Sequence, residues 1–301
     1  MADKIATREA YGNALAELGE KYDIVVLDAD LAEATKTLTF KKKFPNRFFD
    51  CGIAEGNMMG VAAGIAATGK TVFASSFAMF AAGRAFEQVR NVIGYPHLNV
   101  KIGATHQCLE DIALMRTIPG MTIINPADAV EARAAVEASL SVDGPVYMRF
   151  GRYAVPYLYE GTDYKFELGK GIKLAEGSDV TIIATGLMVH IALQAKDMLA
   201  AEGISAEVIN IHTIKPLDVE LVSESAKKTG AVVTAEEHNI VGGLGGAVCE
   251  ALASTCPVPV LRVGVEDVYG RSGKVPALLE AYGLTAENIA AKAKAAIALK
   301  K

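Results

Sequence analysis

A chain of 301 residues favours two domains over one, and a content of 51% hydrophobic and 22% charged residues gives a globular protein ample core. The formal net charge of −5 and a single short basic run, Lys41-Lys42-Lys43, exclude the basic stripe of a nucleic-acid surface; that run reads as a solvated helix face. The start Met-Ala-Asp-Lys-Ile-Ala-Thr-Arg is too polar for a signal peptide and no apolar run reaches the ~18 residues of a membrane span. Four cysteines (Cys51, Cys108, Cys249, Cys256) lack any Cys-x-x-Cys pairing, so reduced thiols in a cytoplasmic protein are expected.

In chain order, residues 5–20 predict an amphipathic helix with Ile5, Ala6, Ala10, Leu15 and Leu18 near one face. The apolar run Ile24–Leu27 predicts a buried strand that delivers Asp28 and Asp30 at its end, either as turn and cap groups or as site acids. A helix over 51–68 and a strand over 71–75 follow. A second helix is expected over 77–93, so that Phe77 and Phe80, three apart, share a face. Strands over 98–102, 121–124 and 145–149 alternate with helices ending near Arg116 and spanning 127–141. Residues 151–170 lose periodicity and gather Gly, Pro and Tyr, which places a linker with the boundary near 160. Strands over 180–184, 206–211, 231–235 and 258–263 then alternate with helices over 187–202, 217–228 and 244–254, and helices over 275–282 and 286–299 close the chain. This alternation predicts α/β architecture: two domains, 1–160 and 161–301, each a mostly parallel sheet flanked by helices.

Within 51–71, Glu55 is the one carboxylate in a run otherwise apolar, small or neutral until Lys70. Gly56, Gly60 and Gly64 would line one stripe of a helix and admit a close neighbour. At the start of such a helix Glu55 is poorly hydrated and drawn to the positive helix end; an ordinary first-turn acid in a core helix has the same pattern. Gly64-x-x-x-x-Gly69-Lys70-Thr71 matches a phosphate loop, but with the helix before it and the strand after it the order is inverted, and the match is accidental. Glu236-Glu237-His238 lacks the helical His pair of a metal site and reads as a solvated strand-end turn. Gly242-Gly-Leu-Gly245-Gly246 is explained by a tight turn and close helix packing.

Taken together, several segments resemble the C-terminal half of transketolase, a thiamine-diphosphate enzyme. They are Ala6-Thr-Arg8, Leu27-Asp-Ala-Asp30, Gly52-Ile-Ala-Glu55-Gly-Asn, Phe77-x-x-Phe80 with Arg84-Ala-Phe-Glu-Gln-Val-Arg90-Asn, Thr105-His-Gln-x-Leu-Glu-Asp, Pro126-Ala-Asp128, Gly144-Pro-Val-Tyr-Met-Arg149 and Ile214-Lys-Pro-Leu-Asp218. The resemblance spans nearly the whole chain and implies a pyrimidine-binding domain followed by a transketolase C-terminal domain. It implies that Glu55 touches N1′ of the cofactor's aminopyrimidine and promotes the imino tautomer that deprotonates thiazolium C2, a role for which poor solvation suits a carboxyl group. It further implies that Phe77 and Phe80 wall the ring, that Asp30 is a cofactor or interface contact, that His106 binds substrate hydroxyls, and that Arg8 and Arg149 bind sugar phosphate.

Two departures from that family pattern bear on function. The Gly-Asp-Gly with a downstream Asn that holds Mg²⁺ and diphosphate is absent. The resemblance therefore implies a split transketolase whose N-terminal partner subunit supplies that end, in an α2β2 assembly acting on sugar phosphates. Second, the run Val100-Lys-Ile-Gly-Ala-Thr-His106 lacks a loop, with a further His and a Gly-Glu-Asp-Gly, that the family carries before Thr-His-Gln. Either the chain is shortened here or a flexible loop is left out of the sequence, the second being the expectation. Two other readings share the carboxylate: the β subunit of a 2-oxoacid dehydrogenase E1 component, and a non-catalytic homologue.

Overall fold

The structure, a computed structural model, describes residues 4–106 and 108–300. The chain forms two compact units, Met1–Leu168 and Gly169–Lys301.

In the first unit the elements are β1 (Lys4–Ala6), α1 (Thr7–Leu18), β2 (Ile24–Asp28), α2 (Ala32–Thr35), α3 (Leu38–Lys43), β3 (Phe48–Asp50), α4 (Glu55–Ala66) and β4 (Thr71–Phe77). The stretch 79–94 then winds as a π-helical segment (Met79–Arg84), one α-turn (α5, Phe86–Gln88) and a second π-helical segment (Val89–Gly94). β5 (Val100–Thr105), α6 (Asp111–Arg116), β6 (Thr122–Ile124), α7 (Ala129–Ser139), β7 (Val146–Phe150) and β8 (Ala154–Pro156) complete it. Six of these strands lie side by side in the order β6-β7-β5-β4-β2-β3, every pair parallel. β1 and β8 pair apart from them as an antiparallel ribbon. Ile5 and Ala6 are therefore strand residues rather than the start of α1, and the expected linker carries a strand; each three-residue strand exists by virtue of the other and has no period of its own to read.

One face of the sheet is covered by α1, α3 and α7. Tyr11, Leu15 and Leu18 pack there with Phe40, Val136, Val26, Phe73, Met148 and Phe150. Tyr11 stacks on Phe150 with ring centroids 4.5 Å apart, and its hydroxyl lies 2.7 Å from the Ser75 hydroxyl. Gly103 makes this possible, since a Cβ there would sit 2.2 Å from the Tyr11 oxygen. α7 starts with a reciprocal cap: Asp128 accepts from the Glu131 amide at 2.8 Å, and Glu131 accepts from the Ala127 amide at 2.6 Å. The opposite layer contains α4, 79–94 and α6. Here the glycine stripe behaves otherwise than expected. A Cβ on Gly56 would meet Gln88 at 3.2 Å, but one on Gly60 or Gly64 would meet nothing among the described residues within 4 Å.

Asp28 ends β2 fully buried. It accepts from the Leu31 amide and from the hydroxyls of Thr35 and Thr37 at 2.7, 2.7 and 2.8 Å, the turn role its position allowed.

The second unit comprises β9 (Ile172–Ala175), β10 (Val180–Ala184), α8 (Met188–Ala201), β11 (Ala206–Asn210), β12 (Thr213–Lys215), α9 (Val219–Thr229), β13 (Val232–Asn239), α10 (Leu244–Thr255), β14 (Val260–Val265), α11 (Val275–Ala281) and α12 (Ala286–Ala298). Its sheet has the order β14-β13-β10-β11-β9, parallel except for β9. Gly203 and Gly230, both at positive φ, follow α8 and α9 as terminators. Glu236 and His238 are buried, not solvated as expected. The Glu236 carboxylate accepts from the Leu244 and Gly245 amides at 2.7 and 2.8 Å, so the glycine-rich start of α10 is occupied by an anion of its own chain. A Cβ on Gly243 would lie 2.0 Å from that carboxylate. Both units thus have the predicted α/β form, with mostly parallel sheets flanked by helices.

Burial pushes the Asp28 carboxyl up to about 6 from its ordinary 3.8. A raised native value adds stability that is complete below the ordinary value and is lost as pH rises through the native one. Urea unfolding at pH 4 and pH 7 should therefore show the wild type losing about 2.4 kcal/mol relative to Asp28→Asn between the two, most of the roughly 3 kcal/mol equivalent of that shift.

Candidate active site

Parallel strands end together, and the carboxyl ends of β2, β4, β5 and β7 share one edge of the first sheet. Phe77 stands opposite Thr105, and Thr105 opposite Phe150. Along β4 the two-residue period sends Phe73, Ser75 and Phe77 to one face. Phe73 is in the α1-side core, Ser75 meets Tyr11, and Phe77 reaches the edge. There the Phe77 ring lies 4.0 Å from the His106 ring, tilted by 47°. Phe80 stacks on Phe77 with centroids 5.8 Å apart and planes 24° apart. The aromatic pair therefore forms, but not on one helix face: Phe77 ends a strand and Phe80 lies in the π-helical segment.

Beyond Phe77 lies a basic corner. Arg8, in the first turn of α1, donates from Nη1 to the Ala34 carbonyl at 2.8 Å and sits 3.5 Å from His106 Nε2. His106 follows β5 directly with φ +66, and its Nδ1 lies 3.1 Å from the Thr105 hydroxyl; Gln107 of the same motif lies outside the described residues. Burial first, then the charges of Arg8 and Arg152, pushes the His106 imidazole down to about 4. It is neutral at pH 7, with one ring nitrogen to donate and one to accept. Arg152 also acts on Arg8, lowering its pKa together with burial, the larger cause. The Arg8 guanidinium and a neutral imidazole, with the charge of Arg152 acting on both, suit an anionic, hydroxylated ligand.

Arg149, expected with Arg8 to bind sugar phosphate, lies on the side of β7 turned away from α1. Val146, Met148 and Phe150 face α1, so the period of two turns Arg149 to the other side. It is only 3% exposed, with Nε 3.0 Å from Asp111 Oδ2 and Nη2 donating to the Cys108 carbonyl at 2.9 Å. Asp111 also accepts from the Tyr147 hydroxyl at 2.7 Å. Sequence reasoning did not single out Arg152, whose charge acts on His106 and Arg8. Its signal was available in Arg149-Phe-Gly-Arg152, since of two arginines spaced this way the one past the strand end is free of the sheet's alternation.

Glu55 opens α4 and is 1% exposed. Its carboxylate lies 3.3 Å from Arg84 Nη1, and the Arg84 guanidinium stands 5.1 Å from the centre of the Phe80 ring. Contacts thus run unbroken from Arg8 through His106, Phe77, Phe80 and Arg84 to Glu55. Asp30 stands outside this run: it is exposed, at φ +60, with its amide donating to Asp50 Oδ1 at 3.0 Å. A buried carboxyl beside a stacked aromatic pair fits a flat nitrogen heterocycle such as an aminopyrimidine. Among the described residues no three of His, Cys, Asp and Glu are grouped to hold a metal ion. No described helix is long and apolar enough to cross a membrane.

Comparison with known proteins places this site in context. The family model described as "Transketolase, pyrimidine binding domain" matches residues 3–156, and "Transketolase, C-terminal domain" matches residues 169–289. The chain is 50% identical over 298 residues to a "Putative transketolase C-terminal section" of Methanocaldococcus jannaschii, covering 94% of this chain and 93% of that protein. It is 48% identical over 295 residues to the "6-deoxy-6-sulfo-D-fructose transketolase subunit SqwH" of Clostridium sp. strain MSTE9, covering 94% and 91%. Among solved structures, one titled "Split gene transketolase, inactive beta4 tetramer" superposes with a TM-score of 0.94 at 56% identity, covering 99% of this chain and all of that one.

Two measurements check the geometry. Histidine-resolved NMR should show His106 neutral down to about pH 4, more than two units below an unshifted imidazole. Asp111→Ala leaves the Arg149 guanidinium buried without its counter-charge, and should cost about 3–5 kcal/mol in chemical denaturation.

Proposed function

The chain belongs to the transketolase family, and we propose that it is the subunit of a split transketolase that carries the pyrimidine-binding and C-terminal domains. With a partner subunit it transfers a two-carbon ketol unit from a ketose phosphate to an aldose phosphate. The observation that carries this reading is the unbroken run of contacts from the Arg8 corner to Glu55, which joins a carboxyl, an aromatic wall and an anion pocket on one sheet edge.

Thiamine diphosphate, when bound, supplies a carbon nucleophile that also serves as an electron sink. Glu55 would hold the aminopyrimidine N1′ and share a proton with it, and Phe77 and Phe80 would stack against that ring. Neutral His106 would hydrogen-bond sugar hydroxyls, while Arg8 would take the terminal anion, with Arg149 and Arg152 as its further candidate contacts. A guanidinium group accepts sulfonate as it accepts phosphate, which agrees with the sulfosugar in the name of the Clostridium relative. In this reading Mg²⁺ and the diphosphate belong to the N-terminal partner subunit, and Asp30 is a further cofactor or interface contact. Support for a partner comes from the "C-terminal section" name of one relative and the split gene of the other.

The test is ketol transfer from xylulose 5-phosphate to ribose 5-phosphate with thiamine diphosphate and Mg²⁺. It is run on this chain alone, with the N-terminal subunit from the same genome, and with Glu55→Gln in the pair. Activity is expected only in the pair, with Glu55→Gln lower by about 10²–10⁴-fold, the range for loss of a positioned acid–base group. Turnover of pyruvate instead would move the chain to the oxoacid dehydrogenases.

A further inference from the structure

The reading above uses Arg84 only as the link between Phe80 and Glu55 and gives it no chemistry, yet this side chain occupies both groups that the reading assigns to the ring. Its Nη1 lies against the Glu55 carboxylate at 3.3 Å and its guanidinium covers the Phe80 face at 5.1 Å. A guanidinium is flat, stacks on aromatic rings and donates in its own plane to a carboxylate. An aminopyrimidine held by Glu55 and Phe80 would make the same pair of contacts, so the two cannot both be made at once.

We propose that Arg84 is a placeholder for the aminopyrimidine ring: it pairs with Glu55 and covers Phe80 until the ring displaces it. The proposal rests on the function assigned above. Three observations carry it. Glu55 is buried, and a buried carboxylate without a partner is costly, so a chain with an empty ring site needs a substitute cation there. The tether is weak, because a single contact of 3.3 Å is longer than the ~2.7–2.9 Å of a good charge-assisted bond and is not the two-pronged fork that Arg forms when it is built to stay. The arm has somewhere to go, since the Arg84 side chain is 59% exposed while the carboxylate it holds is 1% exposed. Arg84 and Phe80 are four residues apart on the π-helical segment, so release requires only rotation of the arm, with the helix unchanged.

A placeholder reduces the apparent affinity for what it excludes by the fraction of molecules in which it is seated. The experiment is calorimetric titration of thiamine diphosphate, with Mg²⁺, into the reconstituted pair carrying wild-type chain, Arg84→Ala, Arg84→Lys or Glu55→Gln. A second readout is the melting temperature of each variant chain alone. Arg84→Ala should bind about three- to tenfold more tightly, and Arg84→Lys, which pairs but stacks poorly, should fall between it and wild type. Arg84→Ala should also lower the melting temperature of the isolated chain, and that drop should vanish when Glu55→Gln is already present. If the wild type binds and Arg84→Ala binds equally or more weakly, the placeholder is overturned and the function assignment survives. If no form binds, the function assignment fails and the placeholder falls with it. Should Arg84→Ala not fold, the Arg84→Lys affinity decides alone: a gain supports the proposal and no gain overturns it.

Discussion

Parallel pairing is the constraint on which the first unit depends. When every strand of a sheet runs the same way, all carboxyl ends share an edge, and the residues just past those ends are brought together whatever their distance in sequence. The register does this residue by residue here: Phe77, Thr105 and Phe150 form one row, and His106 and Arg152 follow their strands beyond it. Backbone hydrogen bonding demands this geometry, and the core supplies its stability. Tyr11 against Gly103 and Phe150 locks α1 to the sheet, so Arg8, one turn earlier, is held at the same edge.

Much of this was legible in the sequence, for reasons that differ by residue. Short apolar runs alternating with helical periods gave both sheets, because strands buried on two faces need continuous hydrophobicity. Glu55 could be placed at a helix start by its isolation in an apolar run. Phe77 could not be placed so well. It precedes an alanine-rich stretch and reads as helical, yet the strand β4 continues through it because β5 offers a partner as far as Thr105. The π-helical winding of 79–94 has no sequence period to announce it. Arg149 was named through resemblance alone; the alternation along β7, with Val146, Met148 and Phe150 facing α1, puts it on the other side of the strand. Glu236 read as a solvated strand end because nothing local shows that the start of α10 returns to cover it.

The second unit illustrates how a site-like motif can be satisfied internally. Glycines opening a helix form a natural anion cradle, and an acidic pair beside a histidine suggests a metal. The fold sets one against the other: the Glu236 carboxylate is the anion that the α10 amides receive. In the first unit the corresponding need is met differently. The Glu55 carboxylate has a long contact to an exposed arm, and the corner at Arg8 gathers positive charge with His106 held neutral among it. One unit closes its electrostatics and the other leaves them open.

The β1–β8 ribbon has a further effect. It clasps the two ends of the first unit, with the Gly151 amide donating to the Thr7 hydroxyl at 2.8 Å and the Arg8 amide to the Gly151 carbonyl at 3.3 Å. Arg8 and Arg152 flank that clasp, one on each end of the unit. An anion gripped by both would therefore be a rivet through the seam, and fraying of the amino terminus would have to break the ligand's hold as well as the ribbon's. With such an anion bound, occupancy of the corner and cohesion of the chain ends would be one equilibrium, so a graft or truncation before Thr7 would act on the ligand without touching a side chain that contacts it.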